Sequence, residues 1–200
     1  MSNTLGRLET LRSRIDRQHE LCVGTVAEII SRSMGLEPAH AAAIGQAAVL
    51  HDIGKLVLPD AVLHKPAGLS IAEGETVKMH CRLGHDLLHD NDGKDGADMQ
   101  LAAMIALRHH ECVDGTGYPD RLRDKFIPIE ARIVALADVY SALRESRSYK
   151  PPMPHDLAFK IITQGDERVR PQQFDAGVLQ AMNCAGTEIA QSYAVQMMLT

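Results

Sequence analysis

The sequence predicts an all-α fold, a single helical bundle with an extended N-terminal helix. Apolar residues recur three or four positions apart in stretch after stretch, and strand-like alternation is nowhere sustained. Apolar residues make up 45% of the chain, yet aromatics are only 4% and Trp is absent. The core must therefore come from Leu, Ile, Val, Ala and Met, a usage that suits packed helices better than a sheet. The 200 residues have the size of one domain, taken as 1–200, without internal repeat or low-complexity tract.

Residues 5–34 read as a long amphipathic helix, with Leu8, Leu11, Ile15, Cys22, Val26, Ile29 and Ile30 on one stripe. His19 lies on that stripe, where a histidine is ordinarily a hydrogen-bonded core residue. Gly24 weakens the helix locally and Gly35 stops it. Pro38, near the favoured first position, opens a second helix. That helix runs through an Ala-rich stretch to Leu50 and delivers His51-Asp52-Ile53-Gly54-Lys55, in which Gly54 permits a tight backbone exit. Pro59, Pro66 and Gly68 make 56–69 a loop. Ser70 and Glu73 have capping-box spacing, and one helix follows through Val77, His80, Leu83, Leu87 and Leu88. His64, His85 and His89 lack such support and read as surface or loop residues. Asp90 to Asp98 reads as a solvated connection, since it lacks the closing Glu of a calcium loop.

Met99 to Leu107 forms a short apolar helix, followed at once by His109-His110-Glu111 and then Asp114-Gly115-Thr116-Gly117-Tyr118-Pro119. Pro128 starts a helix through Ile133, Leu136 and Leu143, with Asp138 embedded in it. A carboxylate in an apolar helix needs a cation, a hydrogen-bond network or a metal. Arg147 and Lys150 follow, where they can meet a phosphate. Segments 155–164, 175–184 and 186–199 close the bundle.

Lys plus Arg is 21 against 26 for Asp plus Glu, a formal net charge of −5. That argues against duplex nucleic acid as a partner and leaves room for an anionic small molecule drawn by local cations. Cys22, Cys81, Cys112 and Cys184 form no CxxC pair and read as reduced thiols of a cytoplasmic protein. The N-terminus has no apolar signal-peptide core, and no run reaches membrane-spanning length.

The inward or loop-end candidates are His19, His51, Asp52, His80, His109, His110 and Asp138. One ion cannot use five imidazoles and two carboxylates, whereas two ions bridged by Asp52 can. Nitrogen and oxygen donors without thiolates suit iron, manganese, zinc, cobalt or nickel better than calcium or magnesium.

His51-Asp52 with Lys55, His109-His110-Glu111, and the segment from Asp114 to Pro119 together resemble the HD-GYP subclass of HD-domain phosphohydrolases. The resemblance runs over about residues 15–184. It implies a helical bundle with a metal centre that hydrolyses cyclic di-GMP, or a related cyclic dinucleotide, to linear dinucleotide or mononucleotide. It further implies His19, His51, Asp52 and Asp138 around one metal, and His80, His109 and His110 around a second that Asp52 bridges. Iron or manganese is the expected metal, with zinc, cobalt or nickel as alternatives. Lys55, Arg147 and Lys150 would contact phosphate oxygens, with Gly117, Tyr118 and Pro119 beside the substrate.

The expected reaction is attack on phosphorus by a hydroxide bridging the two metals, with Asp52 and Lys55 central to it. A diguanylate cyclase or an upstream sensor is the kind of protein partner implied, and the chain is either free-standing or a fragment. A homodimer through the first helix and burial of that helix within the chain explain its stripe equally well. Three positions depart from the family pattern. Ile15 stands where members with a third metal carry Glu, Cys22 where many carry Arg, and Ser141 where Asp is usual. Two other readings stay open: an HD phosphohydrolase of another nucleotide, and a non-hydrolytic cyclic-dinucleotide sensor.

Overall fold

Asp16 caps the helix on which the bundle is assembled. In a computed structural model that describes residues 16–63, 65, 68–89, 96–145 and 152–198, its side chain accepts from the backbone N–H of Gln18 at 3.2 Å and of His19 at 3.3 Å. Its backbone is extended, so helix α1 (Arg17–Ser33) begins here. The helix expected over 5–34 therefore does not run unbroken through Asp16. Residues 5–15, including Ile15, lie outside the described residues, as do His64, Arg147 and Lys150.

Helix α2 (Pro38–Ala48) carries Pro at its start and packs on α1. A Cβ on Gly24 would lie 2.6 Å from the Gly45 carbonyl oxygen. Gly24, expected only to weaken α1, is what lets the two backbones touch. The cost of a mid-helix glycine, about 0.5–1 kcal/mol, is offset by that close crossing.

Beyond α2 the chain turns through His51-Asp52 into a 3₁₀ segment, Ile53–Val57, and a short helix α3 (Asp60–Leu63). The stretch expected as loop from 56 is thus partly helical. Helix α4 (Ile71–Lys78) starts at the Ser70–Glu73 capping box, with Ser70 Oγ accepting from the Glu73 N–H at 3.3 Å and Glu73 Oε2 from the Ser70 N–H at 2.7 Å. The single helix expected beyond it is broken at Met79, and α5 (His80–His89) begins anew with His80 in its first turn.

Helices α6 (Ala97–Arg108), α7 (Ile129–Arg144), α8 (His155–Gln164), α9 (Ala176–Cys184) and α10 (Gly186–Met198) complete the bundle. Helix α1 sits at its centre, against α2, α7, α9 and α10. Val23, Val26, Ala27 and Ile30 of α1 are fully buried with Ile44, Ile133, Val134, Leu136 and Ile189. Among the described residues there is no strand, and no helix is long and apolar enough to cross a membrane.

Candidate metal centre

Five places in the bundle converge. The first turn of α1 supplies His19, the exit of α2 His51 and Asp52, the first turn of α5 His80, the exit of α6 His109 and His110, and the middle of α7 Asp138. Gly54 sets one of these approaches. A Cβ there would overlap the His80 carbonyl group and the Gly84 nitrogen, so only glycine lets the 3₁₀ segment lie on the start of α5. That contact brings Asp52 to His80. Gly54, expected to give a tight exit, thus serves a close backbone contact.

His51, Asp52, His80 and His109 are all buried. Asp52 Oδ1 is 3.2 Å from His80 Nε2 and 3.7 Å from His109 Nε2. Asp52 Oδ2 is 3.5 Å from His51 Nε2. Asp138 Oδ1 is 3.1 Å from His19 Nε2 and 3.9 Å from His51 Nε2. His110 stacks on His109, with ring centres 4.1 Å apart, and stands edge-on to His80. The seven candidates His19, His51, Asp52, His80, His109, His110 and Asp138 therefore meet in one place, with Asp52 near imidazoles on both sides.

The rings are anchored from behind. His51 Nδ1 lies 2.8 Å from the Ala48 carbonyl oxygen, His80 Nδ1 2.7 Å from that of Val77, and His109 Nδ1 3.0 Å from that of Ala106. A carbonyl only accepts, so each Nδ1 carries the proton and each Nε2 offers a lone pair to the centre. Two such lone pairs face each other where His80 Nε2 and His109 Nε2 are 3.3 Å apart. Burial pushes His51 and His80 down to about 4 and His110 well below its ordinary value. These rings are therefore neutral near pH 7. Burial works against ionising Asp52 and Asp138 as well, but the Lys55 ammonium beside Asp52 and the hydrogen bond from His19 to Asp138 hold both carboxyls below the usual range.

This arrangement fits divalent cations. His51 Nε2 and Asp52 Oδ1 are buried with no hydrogen-bond partner, a costly condition for either atom that a cation between them relieves. Neutral imidazoles with the other nitrogen tied to a carbonyl, together with anionic carboxylates, form a typical ligand set for a borderline metal. Donor atoms cluster in two groups, His19–His51–Asp52 and His80–Cys81–His109–His110.

Three contributors were not evident from the sequence. Glu145 accepts a hydrogen bond from His19 Nδ1. Burial opposes a charge on His19, but Asp138 and Glu145 together outweigh it and raise its pKa to about 10. Cys81 Sγ lies 3.5 Å from His80 Nε2, bringing sulfur beside a donor set expected to hold only nitrogen and oxygen. Glu111 is buried and its two carboxylate oxygens accept from the backbone N–H groups of Asp120 at 2.8 Å and Leu122 at 2.9 Å. It thus moors the loop holding Gly117, Tyr118 and Pro119. The Tyr118 N–H donates to the His110 carbonyl oxygen at 3.1 Å, and its ring stacks on His110 with centres 4.7 Å apart.

Lys55 Nζ pairs with Asp52 Oδ2 while its side chain stays 31% exposed, so one cation spans the buried centre and solvent. Cys22 and Ser141 are both buried, and Ser141 Oγ has no hydrogen-bond partner; neither belongs to the two donor groups.

The family model described as HD domain matches residues 3–173. The cyclic di-GMP phosphodiesterase response regulator RpfG of Xanthomonas campestris pv. campestris (strain 8004) is 46% identical over 137 residues, covering 68% of this chain and 35% of that protein. The 3'3'-cGAMP-specific phosphodiesterase 2 of Vibrio cholerae is 41% identical over 141 residues, covering 70% of this chain and 26% of that one. The chain thus spans about a third or less of these relatives' length. Among solved structures, the HDG"Y"P protein Bd1817 from Bdellovibrio bacteriovorus has a TM-score of 0.61 at 22% identity, covering 83% of this chain and 50% of its own. The HD domain of L. monocytogenes phosphodiesterase PgpH, in complex with cyclic-di-AMP, has a TM-score of 0.57 at 17% identity, covering 88% of this chain and 90% of its own. At these identities the two structures show the fold.

Proposed function

The chain belongs to the HD-domain family, and on that premise we propose that it is a metal-dependent phosphodiesterase of cyclic di-GMP or a related cyclic dinucleotide. The observation that carries the reading is the pair of adjoining donor groups, with Asp52 of the first reaching to 3.2 Å from His80 Nε2 of the second and with His51 Nε2 and Asp52 Oδ1 buried and unpartnered. In this reading His19, His51, Asp52 and Asp138 hold one ion. His80, His109 and His110 hold a second, and Asp52 bridges the two. The imidazole and carboxylate donors suit iron or manganese, and zinc, cobalt or nickel as alternatives. Curated relatives named for cyclic di-GMP and 3'3'-cGAMP hydrolysis support the substrate class.

Bound ions supply an activated water and neutralise charge on the scissile phosphate. The chain's own groups do the rest. Lys55, paired with Asp52 yet open to solvent, meets the phosphoryl oxygen on which negative charge grows; losing such a contact costs about 10²–10³ in rate. Burial raises the Tyr118 phenol, so it stays protonated and can donate to a phosphate or a base edge. Glu111 keeps the Gly117–Pro119 loop against His110. Arg147 and Lys150, outside the described residues, are proposed as further phosphate contacts. A protein partner such as a diguanylate cyclase or an upstream sensor, and a cytoplasmic setting, go with this role.

The test is metal analysis of protein purified without oxygen, then product chromatography with cyclic di-GMP, 3'3'-cGAMP and cyclic di-AMP. About two equivalents of metal are expected, together with linear dinucleotide or mononucleotide. Metal-loaded protein that binds a cyclic dinucleotide but yields no product is a sensor instead.

A further inference from the structure

The second donor group contains a sulfur atom. His80 Nε2 and His109 Nε2 are 3.3 Å apart, and His80 Nε2 and Cys81 Sγ are 3.5 Å apart. Metal–nitrogen bonds of about 2.1 Å and a metal–sulfur bond of about 2.3 Å allow one ion to reach donors at both separations. Asp52 Oδ1, buried without a hydrogen-bond partner, lies 3.2 Å from His80 Nε2 and 3.7 Å from His109 Nε2. It faces the same point. Cys81 itself is fully buried, in the first turn of α5 beside His80.

We propose that Cys81 is a thiolate ligand of the ion held by His80, His109 and His110, biasing that half of the centre toward a softer metal than the half built on His19, His51 and Asp138. This rests on the metal centre proposed above. On coordination the Cys81 S–H bond breaks, its proton leaves to solvent, and sulfur keeps the electron pair as the metal–sulfur bond forms. Soft thiolate favours zinc and cobalt over manganese, so the two ions need not be of one element. Without an ion, the same 3.5 Å contact is a weak hydrogen bond from the thiol to His80 Nε2.

Cobalt(II) separates the two cases. Protein freed of metal by chelation is titrated with Co(II) and followed by absorption. A cobalt–thiolate bond gives an intense near-ultraviolet charge-transfer band that nitrogen and oxygen donors do not produce. The expected result is that band in the wild type and its loss in Cys81→Ala and Cys81→Ser, with the weaker visible bands of bound cobalt retained. Cobalt binding without the band, or a band unchanged by the substitutions, overturns the thiolate and leaves the metal centre standing. Failure of the wild type to bind Co(II), Zn(II) or Mn(II) overturns the centre itself. X-ray absorption of the zinc-loaded wild type needs no variant: a sulfur neighbour at about 2.3 Å is expected, and a shell of nitrogen and oxygen alone refutes the assignment.

Discussion

Glu145 and His19 are joined by a hydrogen bond across 126 positions of sequence, on the edge of the imidazole opposite Asp138. One carboxylate thus fixes the ring from behind while the other shares its front. Carboxylate–histidine–metal relays of this kind orient the ring and raise its basicity, and losing the outer carboxylate costs about 10–100-fold in metal affinity. Glu145→Ala is expected to weaken one of two metal-binding steps by that factor, measured by metal titration with the circular dichroism spectrum unchanged. Glu145→Gln, which keeps an oxygen acceptor, is expected to recover part of the loss.

Asp52 belongs to one donor group and reaches the other, and no neighbour can replace a carboxylate with both oxygens in use. Asp52→Ala is expected to bring metal content to background and to abolish cyclic-dinucleotide hydrolysis while the helical spectrum persists. Full turnover by this variant in metal-defined buffer would remove the bridging role.

Gly54→Ala tests the contact between the 3₁₀ segment and α5. The added methyl meets backbone, which cannot swing aside, so the segment must lift. The expected cost is about 1–3 kcal/mol of stability by chemical denaturation, accompanied by weaker metal binding as Asp52 withdraws from His80.

Glu111→Ala leaves the N–H groups of Asp120 and Leu122 without their acceptor. A stability loss of about 1–3 kcal/mol is expected. The larger sign should be a raised KM for the cyclic dinucleotide with metal content intact, because Glu111 holds the loop and does not face the ions.

Asp175 caps α9 through the N–H groups of Gly177 and Val178 and pairs with Arg132 at 2.5 Å. Burial opposes its charge, but these donors and the Arg132 guanidinium lower its pKa overall. A lowered folded-state pKa contributes stability that is present above the unfolded value, near 4, and is lost as pH falls through the folded value. The melting temperature of Asp175→Asn is therefore expected to lie below that of the wild type at pH 7, and the gap to close progressively below about pH 4.

Much of the centre was legible because its residues break the local pattern. Asp138 in an apolar helix and the doublet His109-His110 have no inexpensive structural explanation, and joined to His51-Asp52 they single out one site. The helices were legible from apolar spacing and from caps such as Ser70–Glu73. What escaped depends on partners remote in sequence. Glu145 looks like an ordinary polar helix end until α7 is laid beside α1. Cys81 looks like one of four unremarkable thiols until α5 is seen to restart at His80, a break at Met79 that periodicity did not signal. Gly54 and Gly24 were read for what glycine does to its own backbone, whereas their use here is to admit someone else's.

The three imidazoles whose rear edges are pinned to main-chain oxygens have little latitude to follow an ion of different radius. Asp52, whose Oδ1 is buried without a hydrogen-bond partner, is the member left to adjust. Because Lys55 holds one of that carboxylate's oxygens, exchanging the ion is expected to shift this partly solvent-exposed ammonium group as well. The identity of the metal and the grip on an incoming anion are therefore mechanically geared to one another, and replacing one element by another should retune affinity for the ligand as well as speed.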